Sequence, residues 1–154
     1  MVKYINYKAS TFAGLLVGLV LGVTYFLLFS FIFDTNSVLI PFNFFIFLAA
    51  IFFFIYFHKK GHNYPSFLIY WFITYVLIDL FSYSAFTYRI SIHPGFNDLD
   101  FFSTIFRVFS SSITTLIFTG YFLTVIIEVL IYSMVIYFPV NFLLTRITTR
   151  LKSK

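Results

Sequence analysis

Four long apolar segments, separated by short polar ones, set the pattern of the chain. They cover about residues 11–33, 41–57, 67–88 and 113–140, and each approaches the length of about 20 residues that an α-helix needs to cross a bilayer. Residues 98–112 differ, with apolar side chains on one side of a helix and polar ones on the other. The pattern predicts an all-α integral membrane protein with four transmembrane helices and an amphipathic interfacial helix before the fourth. A tilted extension of the fourth span fits residues 98–112 as well.

Composition supports a membrane protein and narrows the chemistry. Hydrophobic residues make up 61% of the 154 residues and charged residues 10%, against about 25% charged residues in soluble domains. Four spans leave little further chain, so residues 1–154 are expected to form one membrane domain. The chain has no cysteine and none of the common catalytic, nucleotide-binding or metal-binding motifs. We therefore expect no enzymatic activity, no cofactor and no metal site.

Basic residues lie at the ends of the apolar segments. The net charge is +5, but this placement fits contact with lipid headgroups, so the expected partner is the lipid bilayer and not nucleic acid. Lys and Arg precede the first span, lie between the second and third, and recur in the tail at residues 141–154, whereas the first loop has none. The positive-inside rule then predicts that both termini are cytoplasmic and that the protein lies in the cytoplasmic membrane.

A ridge of small residues runs along the first predicted span. Gly14, Gly18 and Gly22 repeat at a spacing of four residues, and Ser10 lies one step earlier. Residues at this spacing share one face of a helix, and small side chains let another helix backbone come close within a membrane. The ridge therefore predicts tight helix packing. The partner is either another span of this chain or a helix of a second protein or copy.

A polar stripe runs along the fourth predicted span and includes Glu128. On a continuous helix that turns about 100° per residue, five polar residues lie within about 40° of it. They are Ser103, Ser110, Tyr121, Thr124 and Tyr132. Because a charge at bilayer depth is costly and normally faces other helices, the stripe is expected to face the interior of the bundle.

A second carboxyl, Asp79, lies in the third predicted span, with Tyr75 and Tyr83 one helical turn away. Asp79 and Glu128 each lie twelve residues from the predicted cytoplasmic end of their span, which is about 18 Å along a helix. The two carboxyls are therefore expected to face each other at one depth.

No Lys, Arg or His lies within a predicted span, so a proton, a cation or a partner's basic residue must neutralise at least one carboxyl. Two roles fit this pattern. One is a proton or cation site, with Tyr75, Tyr83, Tyr121 and Tyr132 as hydrogen-bond partners. The other is a pair of protonated carboxyls that only hold the two helices together.

These features suggest three functions. The first is an accessory or assembly subunit that docks on another membrane protein, or on copies of itself, through the glycine ridge and its exposed aromatic faces. The second is an oligomeric proton- or cation-coupled transporter that uses Asp79 and Glu128. The third is an immunity or toxin-resistance protein of the membrane.

Overall fold

The computed structural model describes residues 7–31, 39–57, 63–91, 101–118 and 121–152. Within these ranges the chain is helical throughout, apart from Asn63 just before the third helix. The helices are α1 (Tyr7–Phe31), α2 (Leu39–Phe57), α3 (Tyr64–Ser91), α4 (Phe101–Phe118) and α5 (Tyr121–Lys152). The predicted all-α fold is confirmed for the described residues.

Three of the helices, α1, α3 and α5, are long and apolar enough to cross a membrane. α2 is also apolar but shorter, with 19 residues. Many large apolar side chains on these helices are exposed, among them Phe12, Phe47 and Leu123. An extensive exposed apolar surface is expected where lipid surrounds a protein, so the fold supports a membrane protein.

Asn63 and Pro65 explain where α3 begins. The Asn63 side chain accepts a hydrogen bond from the backbone N–H of Ser66 at 3.0 Å, which satisfies one of the donors that the first turn leaves unpaired. Pro65 lies in the same first turn, where its missing N–H removes no helical hydrogen bond. α3 therefore starts before the predicted Phe67, and it continues to Ser91.

The glycine ridge of α1 packs against α3. The contact partners of Gly14, Gly18 and Gly22 on α3 are, in order, Tyr70, Leu77 and Phe81. A Cβ atom at Gly14 would lie 2.9 Å from the Tyr70 carbonyl oxygen, so a larger residue would push the helices apart. Ser10, one turn earlier, is fully buried. The ridge is thus filled by a helix of the same chain, which is the first of the two alternatives, and it is not free for a partner.

The order of helix contacts gives the directions of the helices. Gly14 meets Tyr70 and Gly22 meets Phe81, so α1 and α3 run in the same direction. α2 runs opposite to α3: Phe42, near its start, lies 5.9 Å from the Tyr75 ring, whereas a later α2 ring packs near the start of α3. A hydrogen bond from the Tyr70 hydroxyl to the Ala49 carbonyl oxygen, 2.7 Å long, fastens α2 to α3.

The predicted fourth span at residues 113–140 falls on two described helices. α4 ends at Phe118 and α5 begins at Tyr121, with residues 119–120 outside the described part of the chain. α5 also continues through Pro139 and on to Lys152, so it passes the predicted end of the span. A proline removes one backbone donor, but in apolar surroundings the remaining backbone groups are still best satisfied within a helix.

α4 packs on α3 through one face and leaves two others exposed. Ser84 Oγ on α3 donates to Ser112 Oγ at 3.1 Å, and the Phe81 and Phe109 rings lie 5.3 Å apart. Phe102 and Phe106 are 78% and 76% exposed on a second, apolar face. The third face is polar and exposed, with Ser103, Arg107, Ser110, Ser111 and Thr114.

Candidate functional site

Two tyrosine–carboxyl pairs connect α3 and α5. The Tyr75 hydroxyl on α3 donates to Glu128 Oε2 on α5 at 2.8 Å. The Tyr121 hydroxyl on α5 donates to Asp79 Oδ1 on α3 at 3.2 Å. Each helix therefore supplies one hydroxyl and one carboxyl, in a reciprocal arrangement. We call these four residues the carboxyl site.

Helical spacing and an antiparallel arrangement of the helices explain how the site forms. Tyr75 and Asp79 lie four residues apart on α3, and Tyr121 and Glu128 lie seven apart on α5, so each pair shares one helix face. Because α5 runs opposite to α3, the earlier residue of one pair meets the later residue of the other. Nearer the start of α3, a hydrogen bond of 2.9 Å between the Tyr64 hydroxyl and Ser133 Oγ continues the same contact.

Asp79 is the more buried of the two carboxyls. It is 8% exposed, and its Oδ2 atom is buried with no hydrogen-bond partner among the described residues. Glu128 is half-buried at the edge of the helix contact. An unpaired buried oxygen is costly, so Asp79 keeps an unused capacity to bind a proton or another small donor.

Tyr83 and the remaining residues of the predicted stripe lie in three places. Tyr132 packs on the Tyr75 ring, with centroids 6.1 Å apart, and lies beside the carboxyl site. Tyr83 and Thr124 are exposed along the flank of the α3–α5 contact. Ser103 and Ser110 are exposed on the polar face of α4, so the structure does not bring them to the carboxyl site.

The described basic side chains lie away from the carboxyl site. Lys8 is exposed at the start of α1, and Arg107 is exposed on the polar face of α4. Arg146 lies over the Phe142 ring, 4.6 Å from its centroid, near the other end of α5. Among the described side chains, the hydrogen-bond partners of the two carboxyls are tyrosines and not these basic residues.

Sequence reasoning missed Trp71, which lies on the same face of α3 as Asp79. Phe67, Trp71, Tyr75 and Asp79 follow one another at four-residue spacing, and this spacing was the available signal. Trp71 is fully buried, with its ring centroid 6.2 Å from that of Tyr75. Its Nε1–H donor has no partner among the described residues. The face of α3 that carries the site thus has an unpaired donor as well as an unpaired acceptor.

The described residues include no group of three or more His, Cys, Asp or Glu side chains that could hold a metal ion. Compared with protein-family models, with curated proteins and with solved structures, the chain matches none of them.

Proposed function

We propose that the protein is a small transporter of the cytoplasmic membrane that binds a proton or a monovalent cation at the carboxyl site. Binding and release there would be coupled to movement of a substrate, with several copies of the chain acting together. The observation that carries this proposal is the buried, unpaired Oδ2 atom of Asp79. A carboxyl that only joined two helices would be expected to use both of its oxygens.

The proposed topology has four spans, formed by α1, α2, α3 and α5, with α4 at the membrane interface. α1 and α3 run in the same direction, so the chain between them has to return across the membrane, and α2 is the helix that runs back. Its 19 residues correspond to about 28 Å of helix, close to the thickness of a hydrocarbon core of about 30 Å. The exposed polar and apolar faces of α4 suit a helix that lies between water and lipid.

Both termini are proposed to be cytoplasmic. The starts of α1 and α3 and the later part of α5 lie at one end of the bundle, since Gly14 meets Tyr70 and Tyr64 meets Ser133. In the sequence, eight of the ten Lys and Arg residues precede or begin α1, separate α2 from α3, or follow Asn141, whereas Arg89 lies near the end of α3 and Arg107 on α4. Such an excess of Lys and Arg is typical of the cytoplasmic face.

Proton flux into proteoliposomes tests the transport proposal. Asp79→Asn and Glu128→Gln keep the shape of each side chain and remove its ability to ionise. We expect either change to abolish flux driven by an imposed membrane potential, while the protein still purifies as a folded species. Asp98→Asn, the same chemical change outside the predicted spans, is the control and should leave the flux unchanged. Wild-type flux in both site variants would contradict a transport role.

A second candidate, the accessory or assembly subunit, is supported by the exposed face of α5. In the apolar stretch of α5 that could span a membrane, 22% of the residues are buried within the protein, against 44% in the corresponding stretches of α1 and α3. Thr124 and Tyr132 are exposed there beside the half-buried Glu128, and polar groups at bilayer depth favour contact with another helix over contact with lipid. In this account α5, and not the glycine ridge, is the docking face. The flux experiment separates the two candidates, because an assembly subunit needs no ionisable carboxyl.

A further inference from the structure

We propose that the ion held at the carboxyl site is a proton, shared between Asp79 and Glu128, and not a metal cation. This inference rests on the proposed transport function and names its coupling ion. It is supported by the number of oxygen ligands that the site offers, by the unpaired groups around it, and by the tyrosine hydroxyls that contact the two carboxyls.

The site offers few free oxygens to a metal cation. Hard cations are surrounded by about six oxygen ligands, and membrane transporters usually supply several of these from backbone carbonyls in unwound parts of helices. α3 and α5 are continuous helices through Asp79 and Glu128, so their backbone carbonyls are engaged in the helices. One oxygen of each carboxyl already accepts a tyrosine hydroxyl. A proton needs only one of the remaining carboxyl oxygens.

The unpaired groups near the site favour binding of a proton or a water molecule over binding of a metal cation. Trp71 Nε1–H is a buried donor on the same face of α3, and a donor repels a cation but can bind a water molecule. Asp79 Oδ2 is a buried acceptor two helical turns further along. A water molecule can pair with either group and can also carry a proton to the carboxyl.

Two tyrosine hydroxyls stabilise the state that follows proton release. The Tyr121 hydroxyl donates to Asp79 and the Tyr75 hydroxyl donates to Glu128, and a hydrogen bond to an ionised carboxylate is stronger than one to a neutral acceptor. When the O–H bond of Asp79 breaks, the bonding electron pair stays on the Asp79 oxygen, and a water molecule takes up the proton and passes one of its protons to Glu128.

Tyrosines are the ionisable neighbours that face the two carboxyls. Those on α3 are Tyr75 and Tyr83, and those on α5 are Tyr121 and Tyr132. α2 meets the site through the Phe42 ring, α1 packs on this part of α3 through Gly18 and Gly22, and α4 through Phe109 and Ser112. A protonated carboxyl has a carbonyl stretch that a tyrosine hydroxyl lacks, so this band reports a proton on Asp79 or Glu128 and not on a tyrosine.

Infrared difference spectroscopy on the full chain in liposomes tests this inference. The carbonyl stretch of a protonated carboxylic acid is recorded as buffer changes from alkaline to acidic, once in choline chloride and once in sodium chloride. We expect a band that appears on acidification and is the same in both salts. Asp79→Asn and Glu128→Gln should each weaken or remove it. Tyr121→Phe keeps the carboxyls and the ring but should shift the band to higher frequency, because the hydroxyl no longer bonds to Asp79.

The outcomes separate this inference from the proposed function. A band that sodium suppresses in the wild type, but not in Asp79→Asn, would mean that a metal cation competes for the site. That result overturns the proton inference and leaves cation-coupled transport standing. No band and no effect of sodium, in protein that is folded by circular dichroism, would overturn both.

Discussion

Gly14 and Gly18 both lie too close to α3 for a larger residue. A Cβ at Gly14 would lie 2.9 Å from the backbone oxygen of Tyr70, and one at Gly18 would lie 3.0 Å from Cβ of Leu77 and 3.1 Å from Cα of Thr74. Rotation of a side chain moves none of these atoms away. We therefore expect Gly14→Ala and Gly18→Ala each to lower the free energy of unfolding by about 1–3 kcal/mol, a typical cost of overpacking.

Reversible unfolding in mixed detergent micelles measures both changes. Val20→Ala, on the exposed face of α1, is the matched control and should change the free energy of unfolding little. Losses at Gly14 and Gly18 no larger than that of Val20→Ala would contradict the packing described for α1 and α3.

At the level of single residues, the sequence predicted that Asp79 and Glu128 lie at one depth with tyrosines around them. It left open which tyrosine bonds to which carboxyl, because that depends on the rotation of α3 and α5 about their axes. Spacing alone also could not show that Trp71 carries an unpaired donor. Burial and pairing are properties of several helices together, and Phe42 of α2 and Tyr132 of α5 both pack around Tyr75.

The proposed position of α4 at the membrane interface predicts which of its residues a water-soluble reagent can reach. Because the natural chain has no cysteine, single cysteines can be introduced and labelled without a background reaction. We expect Ser103→Cys and Ser110→Cys to react with a membrane-impermeant maleimide added from outside the cell. Phe102→Cys and Phe106→Cys, on the exposed apolar face, should be protected by lipid until detergent is added. Rapid labelling of all four positions would place α4 in water, and labelling of none would place it within the membrane.

The boundaries of α4 and α5 could not be predicted from the hydrophobic pattern of the sequence. Residues 113–140 are almost continuously apolar, and apolarity alone cannot distinguish one long helix from two helices in contact. Pro139 lies inside α5, since the helix continues through a residue that usually ends helices in water. In lipid the backbone has no solvent partner, so the helix is retained.

On the scale of the whole molecule, α3 is the helix on which the others assemble. α1 meets it through glycines, α2 through aromatic rings, α4 through Ser84 and α5 through the carboxyl site. The sequence predicted the helical class and the close packing of α1, but no pattern within one helix could identify α3 as the common neighbour. The central claim is that α3 and α5 are joined at the carboxyl site by two specific tyrosine–carboxyl pairs.

Double-mutant cycles measure that claim most directly. Tyr75→Phe and Tyr121→Phe are each combined with Asp79→Asn and with Glu128→Gln, and the free energy of unfolding is determined for every single and double variant. The observed pairs, Tyr75 with Glu128 and Tyr121 with Asp79, should show coupling energies of about 0.5–2 kcal/mol. The crossed pairs should show clearly less. Equal coupling in all four combinations, or larger coupling in the crossed pairs, would contradict the reciprocal arrangement and the site built on it.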